Sequence, residues 1–475
     1  MSDILRPDIC VIGAGSAGLT VAAAGAAFGA SVVLLEKGKM GGDCLNYGCV
    51  PSKALIAAAK HAHAIVEARM FGVNAGEVDI RYKRVHDHIH EVIAAIHPND
   101  SEERFTGLGV NVIRAAGRFA DRRTLVTGDT QIKARRFVIA TGSSPLVPPI
   151  PGLDTVPYYT NESIFDLTKL PRHLIIIGGG PIGMEMAQAF TRLGAEVTVL
   201  EAFAAMGRDD PELAGRVIDA VRADGATIRE GAKVTKVARH GRSGVRVTVG
   251  TEAGEETFEG SALLVAVGRA PNVGDLGLEE AGVAYGRGGI EVNAKLKTTN
   301  RRIYAAGDIA GGYQFTHWAG YHAGLVIRSI LFRFGGKVND DLITWATYTD
   351  PELAHVGLTE DQARRRHRDI RILRWPYAEN DRAQAERATT GQVKVITTKK
   401  GRIVGAGVVG RNAGELIGLW ALAASQKLNV KALTGMVLPY PTLSETAKRA
   451  AVTYYTPSLQ SPWLKRLIRF LRLFG

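Results

Sequence analysis

Ile9-Cys10-Val11-Ile12-Gly13-Ala14-Gly15-Ser16-Ala17-Gly18 decides the fold, because a short apolar run of strand type breaks into a glycine turn that opens an alanine-rich helical stretch. A second apolar run, Ser31-Val32-Val33-Leu34-Leu35, follows and ends on Glu36. From Ile9 to Leu35 no residue is charged, which a hydropathy scan would score as a membrane span. The glycines at 13, 15, 18, 25 and 29, and the change of period from strand to helix and back, read instead as a buried βαβ unit.

The same design returns later. Leu174-Ile175-Ile176-Ile177 leads into Gly178-Gly179-Gly180-Pro181-Ile182-Gly183, a helix is expected from Met184, and Val197-Thr198-Val199-Leu200 ends on Glu201. In both copies the acid lies 18 positions beyond the third glycine (18 to 36, 183 to 201). One such turn is weak evidence; two in the same strand–turn–helix setting are strong. The first glycine permits the tight turn, the second lets backbone amides approach a pyrophosphate, and the third lets helix and strand pack closely. The helix N-terminus then faces the diphosphate.

Two further strand ends carry small residues, Phe137-Val138-Ile139-Ala140-Thr141-Gly142 and Leu263-Leu264-Val265-Ala266-Val267-Gly268-Arg269-Ala270-Pro271-Asn272, and read as chain returns from a nucleotide domain. Ile303-Tyr304-Ala305-Ala306-Gly307-Asp308 delivers an acid at a strand's carboxyl end, where ligands of α/β sheets gather. From Trp345 the pattern changes to alternating strands, Val393–Ile396 and Ile403–Val404, and a long helix around Glu415 to Gln426, a separate α+β domain. The fold expected is α/β, with two Rossmann-like dinucleotide-binding domains and a C-terminal α+β domain. The boundaries are 1–152 with 272–342, 153–271, and 343–456, followed by a basic amphipathic tail at 457–475.

At 475 residues with 46% hydrophobic content the chain is too long for one core. Its three cysteines, Cys10, Cys44 and Cys49, cannot build a disulfide framework and suit a reducing cytosol in which any disulfide is catalytic. A cytoplasmic protein without a targeting segment is expected. The net charge of +12 is spread along the chain without a basic run interleaved with aromatics, so nucleic acid is not an expected partner.

Gly41-Gly42-Asp43-Cys44-Leu45-Asn46-Tyr47-Gly48-Cys49-Val50-Pro51-Ser52-Lys53 lies between the first βαβ unit and the next helix. A CxxxxC before a helix places thiols where the helix dipole favours thiolate. No second cysteine pair exists to complete a zinc site. This segment closely resembles the active-site signature of the class I pyridine nucleotide-disulfide oxidoreductases, which include dihydrolipoamide dehydrogenase, glutathione reductase and mercuric reductase. The resemblance covers nearly the whole chain, in the family's order of motifs.

The resemblance implies FAD held by Gly13, Gly15, Gly18, Glu36, Gly117, Thr141, Gly142 and Asp308, the last on the ribityl chain. It implies a nicotinamide cofactor held by Gly178, Gly180, Gly183, Glu201, Gly268 and Arg269. An acid at Glu201 suits a free ribose 2′-hydroxyl and repels a 2′-phosphate, so NADH is expected, with Arg208 and Arg269 as the phosphate partners that would favour NADPH. By the resemblance Cys49 is the sulfur against the flavin and Cys44 the outward one. Lys53, one helical turn after Cys49, is implied to pair with Glu185 near the flavin, where a cation stabilises the reduced ring. His317, following Asp308 at an expected helix start, is a candidate for tuning the ring.

Disulfide-reducing members carry a histidine before a proline near the C-terminus, acting across a homodimer as base to the outward cysteine, with a glutamate beyond it. Here Leu438-Pro439-Tyr440-Pro441-Thr442-Leu443-Ser444-Glu445 puts tyrosine in the histidine's place. A phenol with a pKa near 10 cannot shuttle protons at neutral pH as an imidazole does. Mercuric reductases also carry tyrosine in this region, together with a C-terminal cysteine pair that passes Hg(II) along; no cysteine follows Cys49 here.

The expected function is therefore electron transfer from NAD(P)H through FAD and a Cys44–Cys49 disulfide to a small-molecule or ion acceptor, mercuric reductase-like without that pair. A dihydrolipoyl dehydrogenase-type reductase is the alternative, and a redox-sensing or membrane-associated flavoprotein with little turnover is the rival of another class. His86 and His90 have a two-histidine metal spacing but no acidic or cysteine partner fixed by sequence, so they read as a solvated helix face and no resident metal is expected. In the tail, Trp463, Leu464, Leu467, Ile468, Leu471 and Phe474 share one helical face while Lys465, Arg466, Arg469 and Arg472 share the other. Twelve residues cannot span a bilayer, but they suit peripheral contact with anionic lipid at the inner face of the membrane.

Overall fold

The computed structural model describes residues 4–474 apart from 243, 252 and 253. Its contacts gather the chain into two units, Met1–Ala202 with Gly231–Val338, and Phe203–Glu230 with Asn339–Gly475.

The first unit holds both glycine turns. Ile9–Ile12, rich in β-branched residues and wholly buried, is the central strand of a five-stranded parallel sheet ordered Ile303–Ala305, Arg136–Ile139, Ile9–Ile12, Val32–Leu35, Val110–Ile113. The helix Ser16–Ala27 runs back across it and packs on the helix Thr316–Leu331, so nearly every side of it is covered. That explains its alanines and glycines: a Cβ on Gly25 would lie 3.0 Å from Val32 Cγ2 and 3.3 Å from Ile9 Cδ1. The second copy, His173–Ile177 flanked by Glu196–Leu200 and Ala262–Val265, is again parallel. Its helix is Pro181–Arg192, opening three residues before the expected Met184, because Pro181 takes the first helical position, where its missing N–H costs nothing. An antiparallel meander, Lys233–His240, Gly244–Thr251 and Gly254–Gly260, completes this half.

The second unit is built on a five-stranded antiparallel sheet ordered Thr344–Thr347, Glu352–Gly357, Ile403–Gly410, Gln392–Thr398, Ile370–Pro376. Helices Ala413–Ser425 and Glu445–Val452 bury Trp420, Ala447 and Ala450 in its core. The segment 203–230, placed by sequence in the domain 153–271, is gathered with this unit. The cause is electrostatic as well as apolar. Lys394, with a side chain only 5% exposed, reaches Asp210 (2.7 Å), Glu212 (2.8 Å) and Glu360 (2.9 Å), and Arg374 makes a two-pronged pair with Glu212 (2.7 and 2.8 Å). A buried ammonium is tolerable only when paired and hydrogen-bonded in this way. Among the described residues no helix is long and apolar enough to cross a membrane.

Candidate active site

The two glycine turns separate protein requirements from ligand requirements. A Cβ on Gly13 would lie 2.4 Å from the Ala140 carbonyl oxygen, and one on Gly18 would lie 1.8 Å from that of Gly13. Gly178 and Gly183 meet the same obstacles, 2.5 Å from Ala266 O and 2.0 Å from Gly178 O. The middle glycines do not. Beside Gly180 nothing lies within 4 Å, and beside Gly15 only the Gly42 Cα at 3.9 Å. Each heads a 12-residue helix with no side-chain cap, so uncapped N–H groups and unfilled Cβ space coincide at both turns. This donor set fits a diphosphate, as FAD and NAD(P)H both carry. In each copy the acid at the strand end ties down the turn: Glu36 Oε2 accepts from Ala14 N at 2.6 Å, and Glu201 Oε2 from Gly179 N at 2.7 Å.

The cysteine segment is seated on the first turn. Gly41 N–H donates to Ala14 O (3.0 Å), and a Cβ on Gly42 would lie 2.7 Å from the Gly15 Cα. Cys44 lies in the short helix Gly42–Asn46, and Cys49 is the first residue of the helix Cys49–Glu67, whose preceding Gly48 offers no side-chain cap. The two sulfurs are unbonded thiols in hydrogen-bond contact, Cys49 exposed and Cys44 half-buried. The Cys44 hydrogen bond, against a burial cost, draws the Cys49 pKa down to about 6, helped by Thr316 and the Lys53 charge. Cys44, as the donor and itself desolvated, is pushed up. The hydrogen bond thus favours the thiolate on Cys49 and the proton on Cys44.

Thr316, which sequence reasoning passed over beside His317, is the residue both sulfurs touch; its Oγ1 lies 3.5 Å from Cys49 Sγ. Thr316→Val is expected to shift the pH midpoint for alkylation of the reduced protein upward, because the thiolate loses a donor while the Cys44 contact remains. An unchanged midpoint would show that the hydroxyl does nothing for Cys49. His317 itself is exposed and stacks on Phe315 with ring centroids 5.3 Å apart.

Lys53 and Glu185, expected as partners, meet at 2.9 Å, with the Glu185 side chain 6% exposed. Arg269, a candidate phosphate partner by sequence, is held by side chains of the cysteine segment and the first chain return. Its guanidinium pairs with Asp43 at 2.9 Å and donates from Nε to Ser143 Oγ at 2.7 Å, and Ser143 in turn donates to Asp308 Oδ2 at 2.6 Å. Burial holds the Asp308 carboxyl above its usual range, against the pull of Ser143 and Arg269. The relay Asp43–Arg269–Ser143–Asp308 joins the residue before Cys44 to the acid at the end of Ile303–Ala305, and it leaves Arg269 engaged. Asp43 stood inside the quoted cysteine segment, but only folding brings Arg269 and Asn161 to it, at 2.9 and 3.2 Å.

Thr141 and Asn272 exchange hydrogen bonds (3.0 and 2.9 Å), and Gly142 O and Gly268 O accept from Asn272 N and Leu146 N, so the two chain returns are stitched together. Gly117 is a packing glycine, since a Cβ there would meet Leu35 Cδ2 at 2.9 Å and Leu125 Cδ2 at 3.0 Å. The rings of His86 and His90 meet at a tilt, centroids 4.3 Å apart, within the helix Tyr82–Ile96, with His86 on Asp87 (3.2 Å) and His90 3.7 Å from Asp166.

In the second unit Tyr440 is 69% exposed, and its hydroxyl donates to Asp381 Oδ2 at 2.7 Å. That bond, with the nearby charge of Glu445, pushes the phenol pKa above its ordinary value. The hydroxyl proton is thus shared with Asp381, and no spacing in the sequence ties residue 381 to 440. Glu445 opens the helix Glu445–Val452.

Comparison with known proteins assigns this architecture. The profile of the pyridine nucleotide-disulphide oxidoreductases matches residues 7–323, and that of their dimerisation domain matches 343–451. The chain belongs to this family. It is 35% identical over 450 residues to mercuric reductase of Bacillus cereus, covering 94% of this chain and 71% of that one. Against dihydrolipoyl dehydrogenase of Staphylococcus aureus it is 35% identical over 460 residues, covering 94% and 96%. The HOCl-induced flavoprotein disulfide reductase RclA from Escherichia coli superposes with a TM-score of 0.84 at 30% identity over 94% of this chain and 99% of that one. RclA is also known as a Cu(II) complex, with a TM-score of 0.82. As a pyridine nucleotide-disulphide oxidoreductase, this chain is an FAD-dependent enzyme that passes electrons from NAD(P)H through the flavin and the redox-active Cys44–Cys49 pair to an acceptor. Its dimerisation domain supports a homodimer.

Proposed function

We infer that the acceptor is a thiophilic, redox-active metal ion, and that the enzyme draws on NADH in preference to NADPH. The observation that carries the first part is Tyr440: the position that holds an imidazole base in disulfide-reducing relatives holds a phenol whose proton is committed to Asp381. A disulfide substrate needs its leaving thiolate protonated; a metal ion needs ligands and electrons. The Cu(II) complex of RclA and the likeness to mercuric reductases support the same class.

In the step proposed, the Cys44 and Cys49 sulfurs bind the ion and give up two electrons. Two Cu(II) become two Cu(I), the Cys44–Cys49 bond forms, and the remaining thiol proton leaves to solvent. FAD, when bound, supplies the two-electron relay that returns the disulfide to dithiol at the expense of NAD(P)H. The chain's own residues do the rest. Gly13, Gly15, Gly18 and Glu36 shape the FAD diphosphate turn, Asp308 takes the ribityl chain, and Gly178, Gly180, Gly183 and Glu201 shape the nicotinamide cofactor's turn. Lys53, steadied by Glu185, holds positive charge beside Cys49. We also read the helix Pro462–Leu471 as a peripheral contact with anionic membrane.

Anaerobic NADH oxidation with Cu(II), a quinone and lipoamide side by side tests the acceptor: Cu(II) is expected to be fastest, and lipoamide turnover at the Cu(II) rate would overturn the assignment. For the nucleotide, Glu201 opposes a 2′-phosphate and Arg269 is engaged elsewhere, so kcat/KM should favour NADH by roughly 10- to 100-fold, equivalent to about 1–3 kcal/mol. Equal efficiencies would mean that another cation overrides the acid.

A further inference from the structure

Nothing in the helix Pro462–Leu471 is buried, although it is capped by Ser461, started by Pro462, and rich in large apolar residues. Trp463 is 69% exposed, Ile468 50% and Phe474 74%. Lys465, Arg466, Arg469 and Arg472 line its other side, and no acidic residue follows Glu445 in the sequence.

Tyr454, eight residues before this helix begins, is fixed to a particular edge of the second unit. Tyr454 donates its hydroxyl to Lys399 O (2.9 Å), accepts at its own carbonyl from Arg371 Nη1 (3.2 Å), and carries the Arg371 guanidinium 4.5 Å above its ring. Lys399 N–H in turn donates to Asp369 O (3.1 Å), which brings the turn 398–402 against the end of Ala363-Arg364-Arg365-Arg366-His367-Arg368-Asp369. Arg364 and Arg366 are neutralised by Glu360 and Asp341. Arg365, Arg368, Lys400 and Arg402 are exposed and have no carboxylate partner among the described residues. A folded, unneutralised basic edge thus holds the segment that leads into a cationic amphipathic helix.

We propose that this edge and the helix together form one docking surface for an anionic lipid bilayer, extending the membrane contact inferred above, on which it rests, from the helix to the folded domain. Both parts select the same occupant. The helix offers apolar side chains for the acyl boundary and cations for headgroups, and the edge adds fixed positive charge of the kind that anionic headgroups attract. A second copy could cover the apolar side of the helix but would leave the cations of helix and edge unmatched, whereas an anionic bilayer answers both.

The test is co-sedimentation of the FAD-loaded full chain with vesicles of phosphatidylcholine, alone or mixed with phosphatidylglycerol. Binding only to the anionic vesicles, weakened by salt and lost on truncation after Ser461, is expected. A variant combining Arg365→Gln, Arg368→Gln, Lys400→Gln and Arg402→Gln should bind on the order of 10²-fold more weakly with NADH oxidation unchanged. If that variant binds like the unmodified chain, the edge plays no part and the helix acts alone. If the unmodified chain ignores anionic vesicles, the membrane reading itself falls. Light scattering adds one more overturning outcome: dissociation of the dimer on truncation would show that the helix packs against the second copy.

Discussion

Cys49→Ser is expected to lower NADH-driven reduction of Cu(II) by on the order of 10³-fold or more, while the protein still binds FAD and is still reduced by NADH. The size of the effect follows from what a serine cannot do. With a pKa far above that of a thiol, its hydroxyl is neutral at pH 7, where Cys49 is mostly thiolate, and it cannot form the bond to Cys44 that stores the electron pair. Removing one sulfur therefore removes both the stored electrons and half of the ligand set for a soft ion. The distinguishing readout is a thiol count. Two electrons per subunit from NADH should expose two new thiols in the unmodified protein, with a long-wavelength absorbance from the thiolate, whereas the variant should gain neither. Undiminished Cu(II) turnover by Cys49→Ser would place electron delivery elsewhere.

Tyr440→His should raise lipoamide reduction by roughly 10²–10⁴-fold, the range over which a positioned acid–base group accelerates such steps. The fold already provides the accessory group. Asp381 and Glu445 put two carboxylates near position 440, whose negative charge would support the protonated form of an imidazole there. An imidazole so supported can give a proton to the departing thiolate at neutral pH; the phenol, its pKa raised by Asp381 and Glu445, cannot. Adding Asp381→Asn should take back part of the gain. If lipoamide turnover is already fast in the unmodified protein and Tyr440→His leaves it unchanged, proton supply is not what separates this enzyme from disulfide reductases.

The two nucleotide turns and the cysteine pair were legible because each is a short local pattern whose spacing is set by backbone geometry. The turn glycines, the strand-end acids and Cys49 at a helix start are all within one supersecondary unit. What sequence could not supply were partners assembled from distant segments. Thr316 lies 267 residues from Cys49, Asp308 lies 165 from Ser143, and Asp381 lies 59 from Tyr440. Lys53 and Glu185, 132 residues apart, were paired beforehand only through the family resemblance. Arg269 adds a partner of the same distant kind, because its ion pair with Asp43 joins segments far apart in the chain.

Lys394 bears on how this chain can be taken apart. Of the three carboxylates that surround it, Asp210 and Glu212 come from the opening of the helix Pro211–Ala223, more than a hundred residues before the dimerisation match begins at 343. A fragment cut at that boundary would keep only Glu360 beside an ammonium enclosed in the sheet, and would leave Arg374 without Glu212. Losing partners of a buried charge costs about 3–5 kcal/mol, a large share of what holds an ordinary domain together. The C-terminal domain is thus not a transplantable module: grafting it onto another flavoprotein would require carrying the acidic helix start along with it, or exchanging the lysine for an apolar side chain.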